Sequence, residues 1–257
     1  MILDERIAQK LIDLKKSMES DGKLLSPEQL RQYYATFRNR FGPDKLRNLD
    51  GEALLELMHS HGNKDSLVYW LEFKDDEEFP AKFGSIAGGS AFKFGLFRKS
   101  ETGIWMTGSP IKPVELSVEH AIDVARKHRD QLLRGIELLE KMPEHGSDAE
   151  YSQLQQQMEQ LAPDVGNSSW GHKYFSLLYP EKLDDFHNPD YQRFHLIKLL
   201  QLPPTGEGRY LVAGRYVAIA HELDLPLNNL TTLLNYRDGN PHGYWRIGTS
   251  SKKPTSN

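Results

Sequence analysis

The sequence predicts an α+β fold: a small antiparallel β-sheet over about residues 66–107, packed against N-terminal and C-terminal helices. Three observations carry that reading. Apolar residues recur at helical spacing before residue 60 and again after residue 117. Between those regions lie aromatic-rich runs joined by short turn-forming links. The chain has 257 residues, 38% hydrophobic and 26% charged, which is enough apolar material for a real core.

The elements follow in order. Leu3, Ile7, Leu11, Leu14 and Met18 mark a first helix. Ser26 is an N-cap, Pro27 sits at the first helical position, and Gln29 completes a capping box. Leu30, Tyr33, Tyr34, Phe37 and Phe41 give that second helix its apolar face, and Gly42-Pro43 ends it. A short helix follows Asp50, with Leu54, Leu55, Leu57 and Met58 inside. Residues 66–73, SLVYWLEF, read as a strand, and the acidic DDEEF as a solvated turn. Residues 83–98 and GIWMT (103–107) complete a three- or four-stranded meander.

Ser117 opens the longest helix, ending near Met142. Val118, Ala121, Ile122, Ala125, Leu132, Ile136 and Leu139 form its stripe, with Arg129 as a polar interruption. A glutamine-rich helix turns Tyr151, Leu154, Met158 and Leu161 inward. Residues 171–236 then read as three or four short helices. The expected organisation is one unit over residues 1–240, with a possible subdivision at 145/146. Residues 241–257 read as a terminal strand, or the start of a further module, and a disordered tail.

Composition excludes several classes. The absence of cysteine excludes disulfides and thiolate metal sites, and fits a reducing cytoplasm. Charged residues interrupt the first sixteen positions, so no signal peptide is read there, and no apolar run is long enough to span a membrane. The formal net charge of −4 argues mildly against a dedicated nucleic-acid binder but leaves room for a local basic patch.

The least ordinary stretch is FGSIAGGSAFKFGLFR, Phe83 to Arg98. A phosphate-cradling loop would need Lys and Ser or Thr directly after its last glycine, or a helix after G-x-G-x-x-G. Here Gly88-Gly89 is followed by Ser90-Ala91, and Phe92-Lys93-Phe94 alternates like a strand. A hairpin fits better, with Gly88 and Gly89 at the bend. Phe92, Phe94 and Leu96 then share one face, and Lys93, Gly95 and Phe97 the other. The Phe92 row is ordinary core on either account. The opposite face is either merely solvated or the surface that meets a ligand.

Other constellations have plain explanations beside the chemical ones. SWGHKYFSLLYP could stack a base and hold a phosphate through Trp170, His172 and Lys173, or could be an aromatic helix docked on the core with Lys173 snorkelling. DDFHNPD, Asp184 to Asp190, has metal-ligand types, but its Asp, Asn and Pro are also turn formers, and Asp190 can cap a helix. His221-Glu222 lacks the second histidine of a zinc protease; Leu225 occupies that position. No G-x-S-x-G elbow and no acid/base pair stands out.

The segments SLVYWLEFKDDEEFPAKFGSIAGGSAFKFGLFRK, WMTGSP, VEHAIDVARKHRDQLLRG and HKYFSLLYP together resemble the N-terminal, non-motor region of McrB-like AAA+ proteins, over roughly residues 30–200. Those are GTP- or ATP-driven subunits of modification-dependent restriction and antiphage defence systems. The resemblance implies a targeting portion that recognises nucleic acid or another feature of an invader, with a AAA+ motor and a nuclease subunit as natural partners. This chain carries no Walker motor and no nuclease motif. GYWRIGT (243–249) is similar to the opening strand of an EVE- or PUA-like module that reads modified bases, yet only eight residues follow it.

The expected function is therefore non-enzymatic nucleic-acid recognition, of DNA rather than RNA, without cofactor or metal. The candidate contacts are Lys82, Ser90, Lys93, Arg98, Lys99, Trp105 and Lys173. A protein-interaction scaffold is the alternative, and an unrecognised hydrolase the third reading.

Overall fold

Helix starts are set by side chains that accept the otherwise unpaired first amides. The computed structural model describes residues 2–74 and 82–241. The DDEEF turn, GYWRIGT and the final tail lie outside the described residues. Asp4 caps α1 (Glu5–Ser20). In α2 (Pro27–Phe41) the capping box is complete: Gln29 N donates to Ser26 Oγ at 3.1 Å, and Ser26 N to Gln29 Oε1 at 2.9 Å. Gly42 ends α2, and Pro43 opens the short α3 (Pro43–Arg47), followed by α4 (Gly51–His59).

Residues 66–73 are not a strand. Ser66 Oγ accepts from Tyr69 N and starts α5 (Leu67–Tyr69), which widens into a π-turn over Trp70–Lys74. Leu67, Val68, Trp70 and Leu71 are all buried, so the segment is apolar on every side and shows no alternation. Trp70 packs on Phe37 and Phe41 at ring separations of 5.4 and 5.9 Å, and Tyr174 reaches Phe37 at 5.8 Å. Burial of such side chains stabilises by roughly 1.5–3 kcal/mol each.

The hairpin expected over 83–98 is also overturned. Residues 82–90 form an irregular loop, and Ser90 caps a 3₁₀ turn over Ala91–Phe94. The chain then bends at Gly95 into β1 (Leu96–Arg98). Gly88 and Gly89 do take positive φ, at +87° and +74°. Phe97, expected opposite the core, is buried.

The sheet has three antiparallel strands in the order β1, β2 (Trp105–Gly108), β3 (Pro113–Leu116). Arg98 pairs with Trp105, and Trp105 with Leu116. The first two strands fall within the C-terminal part of the expected span, and the third lies beyond it. The sheet's third strand lies at the edge and begins at a proline, and both positions tolerate the missing N–H. Helices flank it on both sequence sides, and the architecture is α+β with helix predominating.

Ser117 caps α6 (Val118–Lys141), a rod of about 36 Å. Its stripe is as expected except that Val118 is exposed; Arg129 donates to Leu49 O at 2.8 Å. A second capping box, Ser147 with Glu150, opens α7 (Asp148–Leu161), whose Leu161 faces outward. Then come α8 (Ser169–Leu178), α9 (Pro189–Lys198), α10 (Arg209–Glu222) and α11 (Leu227–Asp238). Asn188, rather than Asp190, caps α9: its Oδ1 accepts from Asp190 N at 2.9 Å. Helix α10 packs on α7, α4 on α6, and α2 on α8.

One contiguous core runs from Leu3 to Leu234. The first residues are stitched to the last helices. Ile2 and Leu3 amides donate to the Glu222 carboxylate, Gln201 Nε2 donates to Ile2 O at 2.8 Å, and Asn229 Nδ2 donates to Leu25 O at 3.0 Å. Among the described residues no helix is long and apolar enough to cross a membrane.

Candidate functional site

Three stretches singled out in the sequence converge on one cleft of about 710 Å³. Its walls are the glycine loop (84–88), the start of α8 (168–170) and residues 185–188. Asn235 and Asn240, from the end of α11 and just beyond, also line it.

The glycine loop is held from below. A Cβ on Gly84, whose φ is +69°, would collide with the Asp185 carbonyl oxygen and the His187 ring. Only glycine allows that approach. His187 Nε2 lies 2.9 Å from Phe83 O, and since a carbonyl only accepts, the ring nitrogen donates. Lys93 fastens the far end of the loop. Its ammonium bonds to the Glu72 carboxylate and to the carbonyls of Ile86 and Gly88, both at 2.8 Å. Three donors meet three acceptors, so Lys93 shapes the loop and has no N–H left for a ligand.

Under the cleft lies a buried charged cluster. Lys173 is fully buried, one of a run of inward residues from Trp170 to Leu178. Desolvation raises Asp185 to about 6, opposed by the Asn228 amide and the nearby Lys173 charge. Asp184 is raised to about 7 by burial, against its bonds from Gln192 and the Phe186 amide. Burial, with Lys173 and Arg209 adding positive charge, lowers His187 to about 3, so its ring is neutral. Arg209 spans the back, donating to His187 O at 3.0 Å, to Asn167 O and to Ser169 Oγ at 3.2 Å.

The expected basic face is not assembled. Lys173 was expected at the surface and is core, because α8 is packed on every side and buries its polar His172, Lys173 and Ser176 along with its apolar residues. Trp105 is core as well, 5% exposed. Lys82 Nζ donates to Lys23 O at 2.6 Å and lines a neighbouring pocket with Gly84, Ser85 and Asn235 rather than the cleft itself. Arg98 is exposed, but it donates to Gly103 O at 2.8 Å and lies 3.8 Å from Glu56. The half-buried Lys99 belongs, through its backbone, to the β1–β2 turn. Ser90 is exposed and accepts from Phe92 N at 3.3 Å. Of the seven candidates only Lys93 lines the cleft.

Asp185, His187, Asn188, Asn235 and Asn240 were not among the candidates. The DDFHNPD run carried the signal for the first three; nothing local marks the last two asparagines. Besides Lys93, Asp185 and His187, the wall is of amides, hydroxyls (Ser85, Ser168, Ser169, Tyr191) and loop backbone, with the aromatic rings of Trp170 and Phe186. Such a wall hydrogen-bonds a neutral, polar, planar group better than it neutralises a phosphate chain. Among the described residues no group of three or more His, Asp and Glu could hold a metal. No protein-family profile, curated protein or solved structure matches the chain.

Proposed function

We propose that this chain is a non-enzymatic nucleic-acid recognition module of a restriction or antiphage defence protein, and that it takes a single unstacked base into the glycine-loop cleft. The observation that carries the reading is the cleft wall: asparagine amides and hydroxyls line it, while Lys93, the one Lys or Arg among its described residues, is already fully bonded. Asparagine side chains pair with base edges, and a cavity of this size accepts one nucleotide. A reader of one extruded base needs no broad basic face, which agrees with the net charge of −4. The McrB-like resemblance supplies the defence context, including the AAA+ motor and nuclease partners.

The test is a fluorescence-anisotropy titration with single-stranded, mismatched and fully paired DNA, with and without modified bases, at two salt concentrations. Single-stranded and mismatched probes should bind best, since extrusion costs a few kcal/mol in a paired duplex. The salt slope should correspond to only about one or two phosphate contacts. Asn235→Ala, at an exposed position, should weaken binding about tenfold through a lost hydrogen bond. Absence of binding to every probe at low salt would end the nucleic-acid reading. It would favour the scaffold alternative, for which the exposed Ile197, Leu200 and Leu202 (60, 70 and 82%) are the supporting observation.

A further inference from the structure

A second pocket, of about 360 Å³, lies between the start of α2, the end of α10 and the start of α11. Its floor is apolar: Leu30, Val217, Ala220, Leu225 and Leu227 are all at least nine-tenths buried. At the bottom sits Asn228, only 2% exposed. Its Nδ2 donates to Lys82 O at 2.6 Å and Asp185 Oδ2 at 2.7 Å, so both amide hydrogens are used and the nitrogen is fixed in place. The amide oxygen, Oδ1, is buried and has no partner. An orphaned buried acceptor is costly unless something donates to it. The Asp185–Asn228 hydrogen bond also stands between this pocket and the glycine-loop cleft, because Asp185 lines the other side.

The rim is charged and exposed. Glu144 and Glu181 lie on one side with the His145–His221 pair, whose rings meet at 4.4 Å, and Arg31 is the cation among these residues. Tyr34, also on the wall, is held well above the usual phenol range by burial and then by the Asp185 and Glu181 carboxylates, which places both charges close to the pocket.

We infer that this pocket is a second ligand site, built for a small molecule or side chain with an apolar body and a cationic primary amine. The body occupies the floor, the ammonium donates to Asn228 Oδ1, and the rim carboxylates favour its charge. A carboxylate head would face Glu144 and Glu181 and offer no hydrogen to Asn228. The inference does not depend on the nucleic-acid reading.

Isothermal titration with phenethylamine, 2-phenylethanol and phenylacetate tests it, since the three share one body and differ in the head. Phenethylamine should bind, the alcohol about tenfold more weakly for want of a charge-assisted bond, and the acid more weakly still. Phenylacetate binding as well as the amine, or no amine binding at millimolar concentration, would overturn the assignment. Val217→Phe should fill the floor and remove binding. If that variant does not fold, the exposed Glu181→Lys addresses the same claim at the rim: amine affinity should fall by about threefold or more, and an unchanged affinity would count against the site.

Discussion

His172 and His187 meet nitrogen to nitrogen in the core, with their Nδ1 atoms 3.0 Å apart. His187 spends its one proton on the Phe83 carbonyl, so its Nδ1 is bare and must accept. His172 therefore carries its proton on Nδ1, and its buried Nε2 is a bare acceptor without a partner. A proton added to His187 Nδ1 removes the acceptor and breaks this bond, whereas one added to the partnerless His172 Nε2 leaves the bond in place but buries a charge. The pair thus ties the glycine loop to α8 only while His187 is neutral.

That neutrality predicts acid lability. Burial lowers His187 to about 3 and His128 to about 4, and holds His59 and His172 well below the imidazole range. The stability these rings contribute is complete above the unfolded value near 6.5 and is lost as pH falls towards the folded values. Asp184 and Asp185, raised to about 7 and about 6, act oppositely: their contribution is present in acid and lost as pH rises through those values. Four histidines outweigh two aspartates. Between about pH 6 and pH 4.5 the unfolded chain should bind roughly two protons more, so stability should fall by ~2–3 kcal/mol per pH unit. Urea unfolding at a series of pH values measures this; a stability that is flat or rises in mild acid contradicts it.

The glycines of the loop should differ sharply. Gly88→Ala meets no atom within 4 Å and pays only for its φ of +87°, about 1 kcal/mol. Gly84→Ala has the same strain plus collision with Asp185 and His187, and should cost ~3 kcal/mol or more. Thermal melts of the two variants should rank them in that order, and equal losses would show that the loop is not pressed against residues 185–187.

Lys93→Met should be destabilising out of proportion to its partial exposure. It leaves the carboxylate of Glu72, 7% exposed, without its ammonium, at a cost of ~3 kcal/mol. Adding Glu72→Gln should recover much of that loss. A double variant no more stable than Lys93→Met alone would mean that the two residues are not energetically coupled.

Lys173→Glu should prevent folding rather than alter binding. It would set a new carboxylate in the core, close to Asp185, where Lys173 now supplies opposing charge. The loss should exceed about 4 kcal/mol. Lys173→Met, of similar length, should be milder. Circular dichroism of both proteins decides; a folded, stable Lys173→Glu would place this side chain outside the core.

Much of the helical framework could be read directly, because its signals are local. Ser26 with Gln29, Ser117, and Gly42-Pro43 act within one turn of where they sit. The strand at 66–73 was misread because a short apolar run buried on all sides carries no periodicity, and only Val68 in it is β-branched. Lys173 was misread as well. Helix α8 is covered on every face by its neighbours, and the polar residues in SWGHKYFSLL gave no local sign that the lysine is inside. The cleft itself was legible only as separate pieces. Its walls come from residues 84–88, 168–170, 185–188, 235 and 240, and no spacing rule links positions that distant.

The bonds from Ile2 and Leu3 to Glu222 also set an order of events during synthesis. The partners of the first residues are separated from them by 220 and 219 positions. At about 5–20 residues per second, a ribosome needs on the order of 10–40 s to supply them. Throughout that interval Leu3, Ala8, Leu11 and Met18 of the nascent chain lack the α11 surface on which α1 finally rests. Helix α1 is thus made long before the surface it rests on, and its apolar face stays uncovered on that side until α11 has been supplied.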